Sequence, residues 1–346
     1  MQENGRAPKV SVIVPVKNGA DYIGECIGCL KSQTFRDFEA LICVDASSTD
    51  GSSEAAVSAA AGDPRFSLFS LKEGTHLAGN RNLGLAHARG EYVWFLDVDD
   101  WFVPDLLESC IGLAEKERSD LVIFNAVNAG PGGKVSERMM AVSYGVYTMP
   151  ASACMRLMRK AAVPVTAWSK FAKRSVIEGA GLRFSDSLAE DVEFTYRLLA
   201  VCGTVTVSLR PMYAYRRNTG SLTSDPSKAD RRGRDEVRAY CAADVTAEGI
   251  EDPSAREEVL RSNAYMKMRS AGHMDRASFV KYVRSPEFAE MRKKYLRGFE
   301  GWGCFHFPSV YHWGIRFYIR HFYKHDGKTY MRTDGRVFRK ALGPKH

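Results

Sequence analysis

Two acidic clusters carry side chains able to do chemistry. In the segment EYVWFLDVDDW (91–101), the apolar run Tyr92 to Leu96 ends in Asp97, Asp99 and Asp100. Carboxylates this close repel and raise one another's pKa, so a cation is their natural partner. A D-x-D pair can hold a hard divalent cation, and Mg²⁺ typically takes one or two carboxylates plus substrate phosphates. Mn²⁺ accepts the same oxygen ligands. The second cluster is Glu190-Asp191, at the start of a segment whose Val192, Tyr196 and Leu199 fall on one helix face. On the residues alone, Asp191 there reads as an acid favoured by the helix N-terminus.

The elements that must position these groups alternate in type. Val10 to Val16 (VSVIVPV) and Phe38 to Val44 (FEALICV) are short β-branched runs suited to strands buried on both faces. Asp21 to Ser32 between them has helical spacing of Ile23, Cys26, Ile27 and Leu30. That spacing makes the C-x-x-C of Cys26 and Cys29 core packing, since no second C-x-x-C or His pair accompanies it. Phe66–Leu71, Tyr92–Leu96 and Leu121–Asn125 read as further strands, and Leu77–Ala88 and Pro104–Lys116 as helices. Residues 167–171 read as a short turn or helix start, and the chain from 227 onward as mostly helical, with segments 228–247 and 253–270. Alternating strand and helix predicts an α/β fold with a mainly parallel central sheet.

In such sheets ligands bind beyond the carboxyl ends of the strands. The first strand runs into Pro15-Val16-Lys17-Asn18-Gly19, the second into DASSTDG (45–51) and the fourth into DVDD (97–100). Three polar, acid-bearing loops on one edge describe a site. Asp50 is as readily a loop-fixing hydrogen bonder as a ligand contact, and Asp100 reads as a cap of the following turn. No G-x-G-x-x-G follows the first strand and no G-x-x-x-x-G-K-[ST] occurs, which removes the main support for a dehydrogenase or P-loop reading.

Several motifs, in order, resemble glycosyltransferase family 2, the inverting enzymes with the GT-A fold. They are PVKN (15–18), VDASSTDGS (44–52), AGNRNLGLAHARGEYVWFLDVDD (78–100), the Trp168/Lys170 segment with Phe184 and AEDVEF (189–194), and YAYRRNTGSLT (213–223). The sequence departs from the family's pattern at Ala46 and Ser47, which stand where a carboxylate and a glycine are usual. The resemblance implies that Pro15, Val16, Asn18 and Asp45 line the nucleobase pocket. It places Arg81 near the base and phosphates, and Asp97 and Val98 by the ribose and sugar. Asp99, with Asp97, is implied as the site of the metal, Mn²⁺ or Mg²⁺. Asp191 resembles the catalytic base, with Glu190 at the acceptor. Trp168 is equally a core residue or a platform for an acceptor sugar.

The implied chemistry is transfer from a nucleotide-sugar, a UDP-sugar by expectation, to an acceptor hydroxyl on a glycan or lipid-linked molecule, in cell-surface polysaccharide or glycoconjugate synthesis. A metal takes up charge on the departing diphosphate, so one general base suffices. A hydrolase needs two carboxyls flanking the bond, and neighbours such as Glu190 and Asp191 do not form such a pair. Two alternatives compete. A sugar-phosphate nucleotidyltransferase needs a Gly-rich, basic loop after the first strand, for which PVKNGAD is a poor match. A non-catalytic protein binding anionic polymer or membrane fits the basic charge alone.

The 346 residues carry a net charge of +8. The last 46 hold nine Lys or Arg against two Asp, so most of the surplus is there. His312, Arg316, Arg320 and Lys324 recur every four residues, with Tyr311, Ile315, Tyr318 and Phe322 on another face beside Trp313 and Phe317. A basic aromatic helix of this kind suits a membrane interface, so residues 308–340 are expected to contact anionic lipid, the alternative being packing on the catalytic domain or a second subunit. No nucleic-acid module is visible. The N-terminal sequence has no signal-peptide core and no apolar run is long enough to span a bilayer. The expected location is therefore cytoplasmic with reduced thiols, peripheral to the inner membrane face, and a homo-oligomer is left open. The expected domains are an extension at 1–8, a GT-A domain at 9–223 and a helical region with the basic tail at 224–346.

Overall fold

The computed structural model describes residues 6–71, 77–130, 135–138, 145–158, 163–217, 225–296 and 306–318. It divides into two compact units that interleave along the chain. One takes Met1–Ala151, Pro164–Asp186 and Val201–Arg217; the other takes Ser152–Val163, Ser187–Ala200 and Asn218–His346. This differs from a single boundary at 223/224, since Ser152–Val163, Ser187–Ala200 and the chain from Asn218 onward all belong to the second unit.

The first unit is built on one mixed sheet. Strands β1 (Val10–Val16), β2 (Phe38–Val44), β3 (Phe66–Ser70) and β4 (Tyr92–Phe95) run parallel in the order β3-β2-β1-β4. Every residue of β1, β2 and β4 is buried, as their unbroken apolar runs require. The even-numbered valines of β1 pack with Ile23, Cys26, Ile27 and Leu30 of helix α1 (Ala20–Lys31) and with Leu106, Leu107 and Cys110. Ile13 points the other way, toward helix α3 (Leu77–His87). There Gly84 permits close packing: a Cβ on it would fall 2.4 Å from Ile13 Cγ2. Helices α2 (Ser52–Ala60) and α4 (Leu106–Lys116) complete this half.

The sheet continues β4-β9-β6-β10-β5, with β5 (Trp101–Phe102), β6 (Leu121–Ala129), β9 (Lys170–Lys173) and β10 (Thr204–Arg216). Strand β7 (Val135–Arg138) pairs with β6, and β8 (Val146–Pro150) with β10. Strands β6 and β10 are parallel to each other, whereas β5, β7, β8 and β9 run antiparallel to their partners. In the segment 167–171 the expected short turn is a 3₁₀ turn at Ala167–Ser169, but it leads directly into β9, between β4 and β6, a strand the sequence reading missed. Buried Lys170 is accommodated because its ammonium donates to Pro164 O, Thr166 O and Ser169 Oγ at 2.6, 2.9 and 2.7 Å. The short helix α6 (Arg174–Gly179) follows.

The second unit is helical. It comprises most of α5 (Ala151–Met158) and α7 (Glu190–Val201), then α8 (Ala229–Glu248), α9 (Pro253–Ala271), α10 (Arg276–Val283), α11 (Pro286–Tyr295) and α12 (Pro308–Tyr318). Asp252, Asp275 and Ser285 cap α9, α10 and α11 through their side chains, with Pro at the first turn of α9 and α11. Tyr196 Oη of α7 donates to Asn263 Oδ1 at 2.7 Å, and Asn263 Nδ2 donates to Asp244 Oδ1 at 2.9 Å, linking α7, α9 and α8. His312 departs from expectation. Its ring is buried against Phe279 and hydrogen-bonds Met274 O at 2.9 Å, so it does not share a solvent face with Arg316. Arg320 and Lys324 lie outside the described residues, as do 159–162 and 218–223. Among the described residues no helix is long and apolar enough to cross a membrane.

Candidate active site

Because β1, β2 and β4 are adjacent and parallel, their three following loops meet at one edge. The first two are stitched together by hydrogen bonds. Asn18 N donates to Ser48 Oγ (3.2 Å), Thr49 N to Asn18 Oδ1 (3.0 Å), Gly19 N to Ser52 Oγ (2.9 Å) and Ala20 N to Asp50 Oδ2 (2.8 Å). Asn18 takes a positive φ of 49°, which an Asx side chain tolerates. Asp50 also accepts from Ser52 N, so it fixes the loop. The first loop also meets the third: a Cβ on Gly19 would lie 2.9 Å from Val16 Cγ1 and 3.2 Å from Val98 Cγ1. Pro15, Val16 and Val98 are thus brought to one place, with Pro15 paired to Cys43 in the β1/β2 ladder.

Asp45 sits at the floor of this edge. Its Oδ1 accepts from Ser47 N and Ser47 Oγ at 2.8 and 2.6 Å. The serine that departs from the family pattern therefore supplies Asp45 with a side-chain donor. Asp45 Oδ2 is buried, accepts no hydrogen bond among the described residues and lies 3.6 Å from Lys17 Nζ. A buried carboxylate oxygen in this state wants a donor.

The acidic turn is pinned from two sides. Arg81, a buried residue of α3, donates to Asp97 Oδ1 at 2.9 Å, and its guanidinium lies 5.3 Å from the Phe184 ring centre. Asp100 does not cap the next turn as the sequence reading held. It is buried, and its Oδ2 accepts from Tyr213 Oη at 2.6 Å while its Oδ1 accepts from Arg216 N at 2.7 Å. Burial, then the charges of Asp97 and Asp99, push the Asp100 carboxyl well above the usual carboxylate range. The three acids therefore share one negative field. No group of three His, Cys, Asp or Glu among the described residues forms a full metal cage. An ion completed by substrate phosphates needs only one or two carboxylates, and partly exposed Asp97 and Asp99 suit that role.

Of the two roles open to Trp168, core residue or acceptor platform, its burial matches the first. It is 2% exposed, its ring stacks on Tyr213 at 4.4 Å, and its carbonyl accepts from Trp94 Nε1 at 2.8 Å. Sequence reasoning assigned no role to Tyr213, Arg216, Glu25 or Trp101. Arg216 stacks 3.7 Å above the Trp101 ring and pairs with Glu25, which also accepts from Trp101 Nε1 at 2.6 Å. For Tyr213 and Arg216 the available signal was the YAYRR stretch (213–217) itself; Glu25 lay outside every motif.

Glu190 and Asp191 open α7 in the second unit. The approach to them is fixed by α8: Leu188 N donates to Asp235 Oδ2 at 3.1 Å, and Asp235 is buried between Arg231 and Arg238, each at 3.5 Å. Ala189 N donates to Ser187 Oγ at 3.0 Å. Glu190 is buried and Asp191 is partly exposed.

Residues 11–178, from β1 through most of α6, match the profile described as Glycosyl transferase family 2. This chain carries a family 2 glycosyltransferase domain. The domain spans all three loops and the DVDD turn, while Asp191 and Tyr213 lie beyond its matched end. Over 220 residues, 62% of the chain, it is 33% identical to EpsH of Bacillus subtilis (strain 168), which bears a glycosyltransferase name. The chain spans less than two thirds of the length of the curated relatives first in similarity. Among solved structures, S. aureus TarS 1–349 in complex with UDP-GlcNAc superposes with a TM-score of 0.65 at 17% identity, covering 90% of this chain and 91% of that one. The mannosyltransferase PcManGT from Pyrobaculum calidifontis, in complex with GDP-Man and Mn²⁺, gives 0.53 at 18% identity, covering 91% and 87%. These likenesses establish the family 2 domain's fold as GT-A, an α/β sheet followed by helices.

Proposed function

We propose that the chain is a metal-dependent, inverting glycosyltransferase that moves a sugar from a UDP-sugar to an acceptor hydroxyl. The observation that carries this reading is the meeting of the β1, β2 and β4 loops around buried Asp45, next to the Asp97–Asp99 turn. Asp45 Oδ2 offers an acceptor for the imide N–H of uracil, with Pro15, Val16 and Asn18 forming the adjoining wall. Arg81 holds Asp97 and brings positive charge to the phosphate side. Asp99 and Asp97 are the residues that would hold Mn²⁺ or Mg²⁺, which when bound stabilises charge on the leaving diphosphate. The TarS complex with UDP-GlcNAc and the PcManGT complex with Mn²⁺ support a nucleotide-sugar donor and a divalent ion.

Asp191 takes the proton from the acceptor hydroxyl as it attacks the anomeric carbon, help that is typically worth about 10²–10⁴-fold. Glu190 fixes the loop or touches the acceptor, and the buried Asp235 contact on Leu188 holds both acids in place. The acceptor class we favour is a glycan or lipid-linked molecule of cell-surface polysaccharide synthesis, met at the cytoplasmic face of the membrane. Screening UDP-sugars against lipid-linked acceptors for an inverted glycosidic product tests the activity. In that assay Asp191→Asn is expected to lower kcat by about 10²–10⁴-fold and leave UDP affinity nearly unchanged. An unchanged kcat removes Asp191 from the role, and release of pyrophosphate instead of UDP replaces the reaction class.

A further inference from the structure

We infer that the outer face of α12 is a docking surface for an anionic lipid membrane. Val310 and Trp313 are spaced i, i+3 on α12, which places them on one side of the helix, and Phe307 immediately precedes it. Phe307, Val310 and Trp313 are 55%, 68% and 69% exposed. Large apolar side chains grouped on a surface mark a site where something covers them.

The orientation of this face is fixed by the opposite one. Tyr311 packs on the cluster that contains Met274, Phe279 and Phe288, and His312 is hydrogen-bonded to Met274 O. Arg276 Nε also reaches Ser309 Oγ at 3.1 Å. With those residues turned inward, the exposed face is the one carrying Val310 and Trp313. This revises the sequence-derived helix, in which His312 led the basic face.

Charge selects the occupant. Exposed Arg316 follows Trp313 by three residues. Arg232 and Arg269 act with Arg316 on the partly buried imidazole of His273, while Glu236 acts on Arg232 and Arg269. Residues 319–346 add eight Lys or Arg against two Asp. An apolar aromatic stripe on a chain segment rich in positive charge matches an interfacial helix on anionic lipid, to which basic residues add attraction. Nucleic acid and acidic glycan meet the charge but offer no apolar phase for Val310 and Trp313. A stable protein interface needs about 800 Å² from each partner, more than three side chains present. The inference concerns attachment and is independent of the donor site.

The test is flotation of the full chain with vesicles of phosphatidylcholine mixed with phosphatidylglycerol, and of phosphatidylcholine alone. The expected result is salt-sensitive binding to the mixed vesicles. In the double variant Val310→Ser/Trp313→Ser it weakens at least about tenfold, since burying each such side chain is worth more than a kilocalorie. Thermal midpoint and Mn²⁺-dependent UDP affinity are expected to stay as in the wild type, because both side chains are exposed and belong to the helical unit. Absence of flotation, or equal flotation of the variant, overturns the inference. So does a wild-type dimer in light scattering that the double variant loses, which assigns the face to a second copy of the chain.

Discussion

Tyr213 Oη donates to Asp100 Oδ2 at 2.6 Å across 113 residues of sequence, tying β10 to the acidic turn after β4. The same tyrosine stacks on Trp168, so the turn rests on a buried aromatic pair. Removing the hydroxyl in Tyr213→Phe leaves a buried carboxyl short of one donor, a loss of about 1–3 kcal/mol in urea unfolding. The loosened turn is expected to weaken Mn²⁺-dependent UDP binding as well. If stability falls and that affinity does not, the pair is purely structural.

Asp45→Asn is a near-isosteric probe of the pocket floor. One side-chain atom still accepts from Ser47, but the other becomes a donor where an acceptor stood. UDP affinity is expected to drop about 10–100-fold, or about 1.4–2.8 kcal/mol, by calorimetry. Wild-type affinity in this variant shows that Asp45 Oδ2 does not meet the base.

Gly90, in the A-R-G-E-Y stretch, lies against the backbone of β1. A Cβ there would fall 2.5 Å from Ser11 N and 2.6 Å from Val10 C, while Gly90 N donates to Ser11 Oγ at 2.8 Å. Both atoms belong to the Val10–Ser11 peptide unit, so the clash is with backbone, which cannot yield as the end of a flexible side chain would. Gly90→Ala is expected to cost about 1–3 kcal/mol of stability as an overpacking change, read from the shift in denaturation midpoint. A midpoint within error of the wild type contradicts this packing.

His273 sets a pH dependence. Burial, then the charges of Arg232, Arg269 and Arg316, lower its imidazole from 6.5 to about 4. The folded protein keeps it neutral where the unfolded chain protonates it, so the unfolded state binds more protons. Stability is full above about pH 6.5 and falls as the pH drops toward 4, by up to about 3 kcal/mol from this group. His273→Gln is expected to flatten that part of the stability–pH curve; an unchanged slope assigns it to other groups.

The strands β1, β2 and β4 and the helices α1, α8 and α9 were legible because each is a local pattern: an unbroken β-branched run, an apolar stripe, an Asp-Pro start. The three loops were legible for the same reason, since parallel adjacency follows from alternation of strand and helix. What was hidden depends on partners far along the chain. Strand β9 is four residues with a lysine at each end, and only β4 and β6 on either side make it a strand. Strand β10 carries Pro211 and shifts register against β6 around it, which breaks any alternation. Asp100 looked like a cap because nothing nearby reveals that Tyr213 reaches it. His312 counted as a basic residue until packing on Met274 and Phe279 fixed which way α12 turns.

The most direct test of the donor site is calorimetric titration of UDP into the full chain with Mn²⁺, with a chelator in place of the metal, and with Asp99→Asn. The predicted result is binding that requires the metal and is lost in Asp99→Asn while the thermal midpoint is preserved. Binding of UDP that is equally tight in the chelator and in Asp99→Asn would contradict a metal-held diphosphate at the DVDD turn, and absence of UDP binding with metal present would contradict the UDP-sugar donor itself.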